Sequence, residues 1–451
     1  MRVIHRLVDW LDWPQIRDSL LLLGILTFSL PLKTPALQQI LESSTGIYFP
    51  LKLSTYTLLL PPLLGLVTLV HWRRIPKVWN QLRVPLLILG CLFIWMWLGA
   101  WFSEWRAFSL KHAGRYTIHF FVFLVLLLLV QKKFAVSAVK IFLCWFLLLS
   151  FWVFINVYFL EEFENWRINK VLNSLGILLE LFESSPYSAL GMTGFFENRN
   201  PHASVAVFVV FLGGFALWQR YWIIGISGLF CGLWIILIAG SRNAILGLVF
   251  FFIVCSIAIY KKFSYVRLHK LALGMLITIT FSVVLINIIP NHTKDRFVSK
   301  FQSIATIEDY EDLEKREVRF LFYRIALQVG MNDFSTFGSG PKSSGYVMAQ
   351  NAPPAWKSVL SENKEIFNIH NAPLTVLIEM GWVGLGLALL FLIVWFHRSR
   401  GCPLFIFGAG MALCILQLFD YFIWQITFMT VQSFAFALMA ASSNYGASKD
   451  Q

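Results

Sequence analysis

Residues 221–260 read YWIIGISGLFCGLWIILIAGSRNAILGLVFFFIVCSIAIY, and a single charged residue, Arg242, stands among them. Two apolar runs, 221–239 and 243–260, flank the polar turn Gly240-Ser241-Arg242. A run of some 17 to 25 apolar residues crosses a hydrocarbon core of about 30 Å when it is helical. Lipid offers the backbone no hydrogen-bond partners, so each run must satisfy its amides and carbonyls internally. The stretch therefore predicts two antiparallel membrane helices joined by a tight turn that holds an arginine.

The same pattern recurs along the chain. Further spans are expected over 19–32, 54–70, 84–102, 116–130, 135–160, 202–218, 271–289, 372–396, 403–418 and 421–440. Of the 451 residues, 58% are hydrophobic and 14% charged, about half the charge of a soluble domain. The expected fold is an all-α polytopic membrane protein with about 12 transmembrane helices, a single membrane domain over 1–451. The segment MRVIHRLVDWLDWPQIRD lacks a small-residue cleavage site after its apolar run and reads as an amphipathic lead-in that stays attached. Cys91, Cys144, Cys231, Cys255, Cys402 and Cys414 lie in or beside apolar spans with no CxxC pair. They read as core residues, not as disulfides or metal ligands. The net charge of +13 does not indicate nucleic acid, because the basic residues are scattered between apolar runs and form no compact aromatic-bearing face.

Their placement sets the orientation instead, since Lys and Arg near span ends are retained in the cytoplasm. With both termini cytoplasmic, the connections on that side hold Arg73, Arg74, Lys77, Arg83, Lys132, Lys133, Arg220, Lys261, Lys262, Arg267, Arg398 and Arg400, and no acid. Two larger segments, 161–201 and 291–371, then lie outside. In the first, Val171, Leu172, Leu175, Leu179 and Phe182 form an apolar stripe suited to an interfacial helix. The second carries a further amphipathic helix over 311–329, with turn signals at Gly338-Ser339-Gly340-Pro341 and Asn351-Ala352-Pro353-Pro354.

This topology gathers four polar clusters at the extracytoplasmic surface: 196–200, 240–243, 316–324 and 369–371. Arg242, in a turn of a few residues, is anchored near membrane-surface depth, which suits bidentate phosphate binding; an arginine snorkelling to lipid head groups would read the same way. Asn198, Arg199 and Asn200 either join such a site or cap the sixth span. Arg316, Arg319 and Tyr323 are spaced to share one helix face, with Arg324 to the side. His370 stands where the large loop returns to the membrane, followed by Asn371, and imidazole is the side chain best suited to general-base work near neutral pH. Glu379, roughly two turns into the tenth span, points away from His370 and reads as a buried structural partner. Lys111, His112, Arg115 and His119 form a second basic group near the outer end of the fourth span. No metal site is expected: the loop 33–51 holds only Glu42, and the acidic run 308–312 reads as the solvated start of a helix. No GxxxxGK[ST] motif is present, so the Gly338, Gly340, Gly345 loop is not a nucleotide cradle.

Taken in order, these clusters resemble the O-antigen ligase and polymerase superfamily of bacterial envelope enzymes. The matching segments are Gly194-Phe-Phe-Glu-Asn-Arg-Asn200 with Ala203, Ser241-Arg242, Arg319 with Tyr323 and Ala326-Leu327, Gly338-Ser-Gly340, and His370-Asn371 with Leu374, Glu379 and Gly381. Tyr323 departs from the family, which more often has Trp there. The resemblance implies a GT-C-type fold in the bacterial inner membrane with a periplasmic active site and no cofactor. It implies an undecaprenyl-diphosphate-linked glycan donor and metal-independent, inverting transfer to an acceptor hydroxyl. Arg242 and Arg319 would hold the diphosphate, and His370 would accept the hydroxyl proton or hold the diphosphate. Asn198, Arg199, Asn200, Arg316, Tyr323, Arg324, Asn371 and Arg115 would line the substrate site. A ligase would use lipid A core as acceptor, and a polymerase a second lipid-linked glycan. The one large loop bounded by the arginine and histidine motifs, with no second large Arg-rich loop, favours the ligase. Protein O-glycosylation is a further reading, as is solute transport, although the spans lack the paired breaks and midplane charges of transporters.

Overall fold

A computed structural model of the chain describes residues 13–30, 59–165, 187–188, 191–192, 199–239, 241–262, 318–332, 336–362, 364, 369–420 and 425–443. The described elements are helical apart from a two-residue antiparallel pair, Tyr187–Ser188 with Gly191–Met192. The helices are α1 (Trp13–Phe28), α2 (Leu60–His71), α3 (Ile75–Phe102), α4 (Arg106–Leu129), α5 (Ala135–Asn165), α6 (Arg199–Trp218), α7 (Trp222–Ala239) and α8 (Arg242–Lys262). There follow α9 (Val318–Asn332), α10 (Ser344–Gln350), α11 (Pro354–Glu362), α12 (Ala372–Arg398), α13 (Leu404–Leu416) and α14 (Ile426–Ser442).

Among the described residues, five helical stretches are long and apolar enough to cross a membrane: Leu60–Phe102, Arg106–Leu129, Asn200–Trp218, Trp222–Ala239 and Ala372–Arg398. Shorter apolar helices are Ala135–Phe151, Asn243–Cys255, Leu404–Leu416 and Ile426–Ser442. The expected span 271–289, the stripe at 171–182, the loop 33–51 and the acidic run 308–312 lie outside the described residues.

Two expected loops are helical. The connection 71–83 is a 3₁₀ turn, Trp72–Arg74, followed directly by α3, which starts with Pro76 in its first turn. Proline suits that position because its missing N–H is one of the orphans of a helix start. Pro85 then leaves non-helical dihedrals at Leu82, since its ring crowds the preceding turn and removes a donor. Likewise α4 begins at Arg106, so Lys111, His112 and Arg115 belong to a helix and not to the loop before it.

The core lies around α6, which packs most extensively on α7 and also on α13, α8 and α5. Without water to drive association, membrane helices gain from close backbone approach at small residues. A Cβ on Gly213 would stand 2.9 Å from the Leu229 amide, and one on Gly232 2.9 Å from the Ala206 carbonyl. Phe142, Phe208 and Phe434 fill the space beneath with a stacked and an edge-on ring contact.

The feature that shapes the polar end is a break in α12 at Gly381, φ +68° and ψ −173°. The break frees carbonyls that a continuous helix would use, and other groups take them. The amides of Ser339 and Gly340 donate to Ile378 O and Glu379 O at 2.8 and 2.9 Å, and Trp95 Nε1 donates to Met380 O at 2.9 Å. Gly338, at φ +71°, lies so close that a Cβ there would be 2.5 Å from the Met380 and Gly381 nitrogens. Gly338→Ala is therefore expected to lower the thermal midpoint of the detergent-purified protein, the left-handed strain and overlap costing about 1–3 kcal/mol. An unchanged midpoint would show that the loop does not need this approach.

Candidate functional site

The turn Gln417–Asp420, between α13 and α14, is clamped by asparagines from the starts of three other helices. Asn371, the N-cap of α12, accepts from the Leu374 amide at 2.9 Å and donates through Nδ2 to Leu418 O at 2.8 Å. Asn243, in the first turn of α8, donates to Phe419 O at 3.1 Å. Asn200, in the first turn of α6, donates to Asp420 Oδ2 at 2.7 Å. The amide of Ala372 donates to Gln417 O at 2.9 Å, and Gln417 Nε2 donates to Gln432 Oε1 of α14 at 2.7 Å. Three helix N-termini, whose unpaired amides favour negative charge, thus converge on one short turn.

The chemistry-bearing side chains hang on that clamp. His370 Nδ1 lies 2.8 Å from Asp420 Oδ1; the imidazole is 31% exposed and the carboxylate 5%. A buried carboxylate is held in place by its charge-assisted donors, here Asn200 and the ring of His370. His370 sits at φ +58°, a conformation that non-glycine residues rarely adopt and keep only when their surroundings fix it. Tyr323 of α9 supplies part of that fixing, its hydroxyl donating to His370 O at 2.9 Å. From the same helix, Arg319 Nη1 donates to Phe419 O at 3.3 Å. That bond uses one N–H of a planar fork that has five.

The expected site residues divide accordingly. Asn200, Arg319, Tyr323, His370 and Asn371 come together around the 417–420 turn. Arg242 and Arg199 are the first residues of α8 and α6, directly preceding Asn243 and Asn200. Their side chains lie outside what is described, as do Asn198 and Arg316 entirely. Arg324 is exposed on α9. Arg115 belongs to a separate group: it and Lys111 act electrostatically on His112 together with Lys342.

That second group borders the 338–344 loop. Glu379 is fully buried and accepts from the Ser344 hydroxyl at 2.7 Å, while Ser103 donates to Ser339 O and Ser109 to Ser103 Oγ. Burial lowers the Lys342 ammonium to about 8, although the Glu379 carboxylate pulls the other way. Glu379 therefore serves to pin the loop onto the broken helix, away from the His370 pair.

Asp420 was not among the residues expected in the site. The signal available was its position: it is the single acid between Glu379 and Asp450 and falls in the short outer turn between two predicted spans.

The class so defined is a helical membrane protein with a buried carboxylate paired to a half-buried imidazole, and a guanidinium on the same turn, at one end of its bundle. Residues 227–389, less than half of the chain, match the family model of the O-antigen ligase. The matched stretch contains Arg242, Arg319, Tyr323, His370 and Glu379, and ends before Asp420. The match supports O-antigen ligase- or polymerase-type function in general. No curated protein matches the chain.

Proposed function

We propose that the protein transfers a glycan from undecaprenyl diphosphate to a hydroxyl of lipid A core oligosaccharide, inverting the anomeric centre, at the periplasmic face of the bacterial inner membrane. The observation that carries this reading is the His370–Asp420 pair at 2.8 Å beside Arg319. Asp420 accepts from Nδ1–H, which leaves Nε2 of His370 as the proton acceptor, the arrangement in which a carboxylate sets the tautomer of a general base. The acceptor oxygen attacks the anomeric carbon as the bond from that carbon to the diphosphate oxygen breaks. The hydroxyl proton passes to His370 Nε2, and the diphosphate leaves on its lipid. Negative charge grows on that leaving group, where Arg319, Arg242 and the starts of α6 and α8 oppose it.

Fixed guanidinium makes a divalent cation unnecessary. Transfer in reconstituted vesicles is expected to continue in EDTA; complete loss restored by magnesium or manganese would move the charge stabilisation to a metal.

Ligase and polymerase share this chemistry and differ in acceptor. Of the two larger outer segments only 291–371, bounded by the arginine and histidine motifs, is Arg-rich, and this supports the ligase, because no second such loop is available for a second lipid diphosphate. Deleting the gene should leave lipid A core bare while lipid-linked polymer accumulates. Single repeats still attached to the core would instead show a polymerase.

A further inference from the structure

At the other end of α3, α4 and α12, about 40 Å of helix away, a cavity of about 700 Å³ opens among Arg74, Lys77, Lys132, Lys133 and Arg398, with Asp18 the one acid in its lining. The cations come from three connections far apart in sequence, at the start of α3, between α4 and α5, and at the end of α12. Asp18 is already engaged: its Oδ1 takes Arg17 at 2.9 Å and His71 at 3.2 Å, and its Oδ2 takes Arg74 at 3.2 Å. Arg74 also donates to Leu128 O at the end of α4. Lys77, Lys133 and Arg398 have no carboxylate partner among the described residues, so the cavity keeps an excess of positive charge.

Helix ends do not account for that excess. The C-termini of α4, α12 and α14 at this end are offset by the N-termini of α1, α3 and α5, so the macrodipoles largely cancel. The rest of the wall is mixed: Asn80, Gln81 and Gln131 offer polar groups, while Val78, Leu82, Leu127 and Phe134 give an apolar flank. A soluble anion needs no apolar flank, whereas a lipid presents a phosphate and a chain together. Basic pockets between membrane helices on the cytoplasmic side are suited to anionic head groups.

We propose that this cavity binds the phosphate head group of an anionic phospholipid in the leaflet opposite the candidate catalytic site. The inference stands on the cavity and its charges and does not depend on the glycan-transfer reading.

The test uses the purified full chain, with binding of phosphatidylglycerol and cardiolipin measured by native mass spectrometry against phosphatidylcholine. Inorganic phosphate serves as the soluble-anion control. Both anionic lipids should bind, and phosphatidylcholine and phosphate should not. The triple variant Lys77→Gln, Lys133→Gln, Arg398→Gln should bind about a hundred-fold more weakly, and each single variant about five-fold. The charge-preserving variant Lys77→Arg, Lys133→Arg, Arg398→Lys should bind as the wild type does, and so should His370→Ala. Equal binding of phosphatidylcholine, displacement of lipid by phosphate, or unchanged affinity in the glutamine variants that fold normally would each overturn the proposal.

Discussion

Replacing His370 by alanine is expected to lower glycan transfer by about two to four orders of magnitude, the range of general-base contributions, with membrane insertion unchanged. The ring is held on one side by Asp420 at 2.8 Å and its backbone by the Tyr323 hydroxyl at 2.9 Å, so the lone pair on Nε2 is aimed by the fold. His370→Gln retains hydrogen bonding but accepts no proton at neutral pH, and it should be nearly as impaired as the alanine variant. Asp420→Asn keeps the shape but offers an amide where Nδ1–H needs an acceptor, which favours the wrong tautomer. Its expected signature is a fall in kcat with little change in KM. Near-normal turnover in the glutamine variant would show that His370 positions substrate, and near-normal turnover in both His370 variants would remove it from the site.

Arg319→Ala and Arg242→Ala should each reduce transfer by about a hundred-fold or more, because one charge-assisted contact to a developing anion contributes about 3 kcal/mol or more at a poorly hydrated site. Arg319 approaches the 417–420 turn from α9 with one N–H on Phe419 O. Arg242 enters by its place in the backbone, as the first residue of α8 directly before Asn243, which binds the same carbonyl. Lysine should rescue only in part, because a point charge does not reproduce a planar fork. Wild-type turnover in either alanine variant at normal expression would mark that arginine as an anchor to lipid head groups. Comparing each arginine variant for lipid-linked donor binding separates loss of ground-state affinity from loss of transition-state stabilisation.

Much of the architecture was legible in the residues. Runs such as 222–239 and 372–398 are helical in the structure because long apolar stretches with little charge must satisfy their backbone internally in lipid. The helix over 318–332 follows the amphipathic pattern in part, with Leu321 and Ile325 buried and Arg324 exposed, whereas Leu327 is exposed. The polar clusters were legible as well, since an Asn-rich or basic pair between two apolar spans stands out against its background. Less legible were the helix starts: α3 and α4 begin about ten residues before the apolar runs they carry, because a helix does not stop where hydrophobicity does.

The short helices α10 and α11 were not read from the sequence; what it determined by itself is the helical class of the fold and the apolar runs that form the long described helices. Those properties follow from local periodicity and from the energetics of burying backbone in lipid, and need only neighbouring residues. The partner of His370 was decided only by tertiary structure. Asp420 is 50 residues from His370 and 220 from Asn200, and no local pattern ties the three together. The same holds for the break at Gly381, whose freed carbonyls take amides from 339 and 340 and an indole from Trp95. Hydrogen bonds of this range exist only once packing has brought the helix ends together, because packing alone excludes the water that would otherwise satisfy each group separately.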